Sequence, residues 1–214
     1  MKRTLTTLCL TMLGCAGASP WVPLSREATP EGTTLVWVGR GACERLEGGQ
    51  WVRREAFDYE FSVEQRRLGA HWVSVKTMRR LHPEYDGSAG PRLQTFFFEQ
   101  AFQPADPGGR VSGTLTSTLG EGTVSADREF RSAELRFLAA GVSSMAPFDR
   151  YRITQRYDYE GGALTEDVEL LKGDAPWVRN HEQARLFAAT RFAAPPTVAD
   201  APPRPDEPGA RALR

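Results

Sequence analysis

Cysteine, lysine and histidine are scarce in this 214-residue chain, which has three of each. Cys9 and Cys15 lie in the N-terminal leader, so Cys43 has no intramolecular partner in a mature chain. No disulfide framework holds the fold, and packing alone must do so. Cys43 reads as a small buried hydrophobe. No C-x-x-C pair is present for metal or redox chemistry. His71, His82 and His181 are too scattered to read as a metal set. His181-Glu182 opens like H-E-x-x-H, but Arg185 stands where the second histidine belongs. There is no G-x-S-x-G, because Asp86-Gly87-Ser88-Ala89-Gly90 has the wrong spacing, and no S-x-x-K. A P-loop is missing too, since neither Lys76 nor Lys172 follows a glycine. These absences point away from an enzyme and call for no cofactor, leaving an unrecognised hydrolase as a minority reading.

Net charge is also missing: 27 basic residues, mostly arginine, balance 27 acidic ones. Clustered positive charge is what binds nucleic acid, so no nucleic-acid partner is expected. With 40% apolar and 10% aromatic residues the chain can nevertheless build a core.

The N-terminus carries an export address. Met1-Lys2-Arg3 is a positive n-region and Thr4 to Leu13 a short apolar h-region, too short to span a bilayer. Met12-Leu13-Gly14-Cys15 resembles the lipobox of bacterial lipoproteins, in which the cysteine is lipidated and becomes N-terminal. The rival reading is ordinary cleavage after Ala16-Gly17-Ala18. The lipoprotein resemblance implies a palmitate-bearing Cys15 and a membrane anchor. Ala16 in place of Asp implies sorting to the outer membrane, facing the periplasm. A secreted or periplasmic soluble form follows from the rival.

The expected organisation is a signal peptide over 1–15, a tether over 16–31, one β domain over 32–192 and a tail over 193–214. Six prolines and few bulky apolar residues make that tail read as disordered. Inside the domain the dominant period is two. Phe57, Tyr59, Phe61 and Val63 alternate with polar residues, as do Tyr151, Ile153, Tyr157 and Tyr159. Leu164, Val168 and Leu170 continue the pattern after Glu160-Gly161-Gly162, a hairpin signal. Further strands are expected near 35–41, 71–79, 93–102, 111–119, 123–130 and 134–138. Short turns between them imply antiparallel neighbours, and so an all-β meander closed into a barrel or folded into a sandwich. Asn180 followed by Gln183 looks like a capping box, which predicts one short C-terminal helix with Leu186, Phe187 and Ala189 on its apolar stripe.

Gly49-Gln50-Trp51 matches the G-x-W element of lipocalins, which also place a helix after their strands. The resemblance implies a barrel with room for a small apolar or amphipathic ligand. Trp51, Phe97, Tyr151, Tyr157 and Tyr159 are candidates to line such a pocket, or to fill the core. The most chemically loaded stretch runs from Arg79 to Arg92. Arg79, Arg80, His82, Tyr85, Asp86 and Arg92 form either a polar, anion-binding rim for a ligand or partner, or a plain hairpin loop with paired charges. Two functions therefore compete: a tethered barrel that binds a small ligand, and an envelope lipoprotein that works by contact with another protein.

Overall fold

The computed structural model describes residues 33–68, 70–141 and 147–191. The leader with Cys15, the tether over 16–31, the tail over 193–214 and the Gly69 turn position lie outside the described residues.

Eleven strands follow one another: β1 (Thr33–Glu47), β2 (Gln50–Arg53), β3 (Tyr59–Leu68), β4 (His71–Arg79), β5 (Leu93–Phe102), β6 (Arg110–Ser117), β7 (Gly120–Asp127), β8 (Ser132–Ala139), β9 (Arg150–Asp158), β10 (Ala163–Lys172) and β11 (Ala175–Arg191). Every pairing is antiparallel, and all but one strand join in a ring. β11 returns to β1, with Thr33 opposite Arg191 and Arg45 opposite Val178, so ten strands close a barrel. β2 stands outside the ring and pairs with β1 alone. Gly48 and Gly49 make its two-residue turn at φ 57° and 84°, the left-handed conformation that such hairpins require. Closure removes the exposed edges that a long open sheet would leave.

The alternation seen in the sequence decides what fills the barrel. Leu35, Trp37, Val111, Leu115, Val124 and Leu135 are almost fully buried. Each such side chain contributes about 1.5–3 kcal/mol on leaving water. Aromatic rings pack one end of the lumen. Phe130 meets Trp72 at 6.0 Å and Phe102 at 4.8 Å between ring centroids, and Trp37 meets Tyr157 at 5.8 Å. Phe130 holds φ at 56° at the β7–β8 turn, and its deeply buried ring offsets that strain. β1 passes close to its neighbours. A Cβ on Gly41 would lie 2.3 Å from the Tyr59 ring, so a side chain there would displace Tyr59.

The expected C-terminal helix is a correction: the described residues contain no α-helix, and Asn180 and Gln183 are strand residues of β11. Asn180 lies opposite both Cys43 and Val168, and Gln183 opposite both Arg40 and Thr165. Ladder partners on both sides outweigh a local capping pattern. The period of two was hidden because polar Asn180 and Glu182 occupy the phase shared by buried Ala184.

Candidate functional site

The barrel has two ends. At one, β1 begins at Thr33, and the β3–β4, β5–β6, β7–β8 and β9–β10 connections cluster there. At the other lie the β1–β2 turn, the 80–92 loop and the β10–β11 turn. Between them, charge is buried. Lys76 of β4 shares the inward phase of Trp72, Ser74 and Met78. Its ammonium donates to Glu166 Oε2 of β10 at 3.0 Å and to Glu182 of β11. The Tyr59 hydroxyl donates to Glu182 Oε1 at 2.5 Å, and Gln155 Nε2 donates to Glu166 Oε1 at 2.5 Å. Lys76 also sits 4.5 Å from the centroid of the Phe61 ring.

Two carboxylates thus share one ammonium in the barrel interior. Burial lifts Glu182, and the neighbouring Glu166 charge adds to that, so Glu182 stays protonated well above the usual carboxylate range despite Lys76. Burial acts on Glu166 in the same sense, but the Lys76 charge and the bonds from Glu182 and Gln155 outweigh it and hold Glu166 low. The pair titrates as a unit. Sequence reading missed this cluster. Its one signal was Glu166, the polar break in the apolar inward series of Leu164, Val168 and Leu170.

Beside the cluster, Gln65, Gln100, Gln155 and Tyr157 border a cavity of about 10 Å³, room for one water at most. The Tyr157 hydroxyl reaches Gln155 Oε1 at 3.3 Å, and the Tyr159 hydroxyl donates to the Phe130 carbonyl at 2.9 Å. Tyr157 and Tyr159 therefore lie in the lumen as core. Tyr151 is half-buried and stacked on Phe137 at 4.7 Å. Phe97 departs from the pocket-lining expectation. It faces outward on β5 opposite Val75, while Phe98 is the buried neighbour. Trp51 lies on β2, outside the ring, with the Arg179 guanidinium 4.3 Å from its ring centroid.

The 80–92 loop turns most of its polar groups on itself. Arg92 donates to the carbonyls of His82 at 2.6 Å, Pro83 at 3.1 Å and Tyr85 at 3.2 Å. The Tyr85 hydroxyl donates to the Gly90 carbonyl at 2.7 Å, and Asp86 Oδ1 accepts the Ser88 N–H at 2.8 Å. Arg80 is buried. It donates to Gln94 Oε1 at 3.0 Å and lies 4.9 Å from the Tyr85 ring centroid. His82 accepts the Glu84 N–H at Nδ1, and Arg79 is exposed at the end of β4. So Arg80 and Arg92 build the loop, and of the three arginines only Arg79 stands wholly outward.

A groove of about 1050 Å³ opens to solvent over β3, β1 and β11. Its floor includes Gly39, Gly41 and Ala42, and its walls include Arg53, His82 and Gln183. The charges along it are paired across strands. Arg53 binds Asp58 Oδ1 at 2.5 Å, Arg40 binds Glu60 at 3.1 Å and His181 Nδ1 meets Asp167 at 2.6 Å. Cys43 lies near this wall, its thiol pushed up to about 11 by burial and then by Asp58, so it is no nucleophile at neutral pH. Among the described residues no group of three or more His, Cys, Asp or Glu is placed to hold a metal ion.

No protein-family model matches the chain. No curated protein matches it either. The fold is similar to that in the crystal structure of Rv2717c from M. tuberculosis, with a TM-score of 0.47 and 15% sequence identity. The match covers 76% of this chain and 96% of that one.

Proposed function

We propose that this protein is a non-enzymatic lipoprotein of the cell envelope, anchored through Cys15, whose barrel is a filled scaffold that binds a segment of another envelope protein in the groove over β3, β1 and β11. The groove carries this reading. It has about twice the volume of a second surface concavity of about 500 Å³ beside Phe137 and Tyr151, whereas the cavity beside the lumenal charges holds about one water. Ala42 keeps the groove's outer face low between Arg40 and Gln183, and its walls offer paired charges of both signs. β2, the one described strand with a single neighbour, keeps an unpaired edge, and its last residue, Arg53, lines the groove. An extended segment fits such a surface by adding main-chain hydrogen bonds to side-chain contacts. The leader supports the address. A small amphipathic ligand in the lumen is the second reading, favoured by the glutamines and the Tyr157 hydroxyl around the small cavity.

A photoreactive residue at position 42, on the groove floor, tests the first reading in native envelopes. The expected result is one cross-linked species of defined mass, absent when the probe sits at position 138 and lost when Gln183→Trp fills the groove. Equal labelling from 42 and 138, or none from 42, overturns it.

A further inference from the structure

Phe187 is 79% exposed, the most exposed large hydrophobic residue in the described barrel, and its place is set by a bulge. β11 pairs Leu186 with Trp37 and Ala188 with Val36, so Phe187 is the extra residue on that strand. Leu186 packs against the core while Phe187 stands on the outer wall. A bulge disrupts the ladder locally, and here the extra residue is an aromatic whose ring faces outward. Leu68, 51% exposed, ends β3 at the same end of the barrel. β3, β1 and β11 are adjacent strands, so the two residues flank the start of β1.

The chain itself says what lies next to them. Thr33 begins β1 at this end, and only 17 residues separate it from Cys15. Seventeen residues span at most about 60 Å when fully extended. A surface confined within that reach of a bilayer meets it at an effective concentration on the order of millimolar. Two exposed side chains are too few to hold a free protein on a membrane, but at that concentration they are enough to orient a tethered one.

We propose that the Thr33 end of the barrel rests on the bilayer that carries Cys15, with Phe187 and Leu68 in the interface, so that the far end with the 80–92 loop points away from the membrane. The occupant of this patch is lipid. This rests on the lipid-anchor reading of Cys15. It adds a fixed orientation to it, placing Leu81 and Leu93, which are exposed toward the far end, where a partner protein can reach them.

The test uses the full acylated chain, purified from its envelope and reconstituted in phosphatidylethanolamine–phosphatidylglycerol vesicles. A thiol-reactive environment-sensitive fluorophore is placed at Phe187→Cys, Leu68→Cys or, at the far end, Leu138→Cys. Cys43 is buried and its thiol is not ionised at neutral pH, so it stays unlabelled. Brominated lipids are expected to quench the probe at 187 and 68 at least threefold more than the probe at 138. Equal quenching at the three positions overturns the docking, as does a probe at 187 that is shielded from water yet unquenched by lipid, which would mean a protein covers it. Intact mass separates the two claims. An acyl mass on Cys15 with an unquenched probe removes the docking alone. A mature chain without that mass removes the anchor, and the docking with it.

Discussion

Replacing Lys76 with methionine keeps the length of the side chain and removes the one ammonium that Glu166 and Glu182 share. In the parent protein Glu182 already keeps its proton, so the loss falls on Glu166. Without Lys76 the buried Glu166 escapes ionisation by taking up a proton, which in the unfolded chain it holds with an ordinary pKa near 4.5. At 1.36 kcal/mol per pH unit, holding that proton at pH 7 costs about 3 kcal/mol, within reach of the 3–5 kcal/mol typical of breaking a buried ion pair. At pH 5 the same cost is below about 1 kcal/mol. For a domain of this size each kcal/mol moves Tm by roughly 2–4 °C. Thermal and urea unfolding followed by circular dichroism should therefore give a Lys76→Met penalty of about 3 kcal/mol at pH 7 that nearly vanishes at pH 5. A penalty equal at the two pH values would mean that lost packing, not buried charge, sets it, and the electrostatic account of the lumen would fail.

Further outcomes follow from the same contacts. Glu182 binds its proton more tightly in the folded state, so stability should decline as pH rises from near 4.5 through neutrality. Glu182→Gln should flatten that slope with little change near pH 5. Asp127 accepts the N–H groups of Glu129, Arg131 and Ser132 at 2.9, 3.0 and 2.5 Å. Partial burial opposes them, but the Ser132 hydroxyl, which donates to Asp127 Oδ2 at 2.7 Å, and these N–H groups hold its carboxyl below the usual range. Asp127→Ala should cost about 1–2 kcal/mol at pH 7, a gap that closes as pH falls below about 4 because the parent then loses the same contribution. Arg92→Ala removes four carbonyl contacts, to Arg80, His82, Pro83 and Tyr85, and amides over 81–91 should exchange at least tenfold faster while the strands keep their protection. Cys15→Ser should release the protein from the membrane pellet.

The strands were legible because nine of them carry strong alternation between the lumen and solvent: Phe61 with Val63, Ile153 with Tyr157, Leu164 with Val168. β11 was not, because two of its inward positions hold Asn180 and Glu182, which erase the apolar signal while a capping-like pair supplies a false one. β2 was too short to register. Of the candidate site residues, the phase of Tyr157 and Tyr159 placed them correctly in the interior, and Phe97 went outward because Phe96 and Phe98 take the inward phase of that strand. The roles of Arg80 and Arg92 depend on how the loop closes on itself, which no local pattern encodes. The Lys76 cluster joins residues up to 123 positions apart, so only ring closure brings it together.

Native and denaturing mass spectra of the protein taken from its own membrane test the central claim most directly. The account predicts an acyl mass on Cys15 and no small-molecule adduct, because the lumen is filled and the groove is shaped for a protein segment. A stoichiometric small-molecule adduct that is lost on denaturation would contradict it and return the lumen to the role of a binding site.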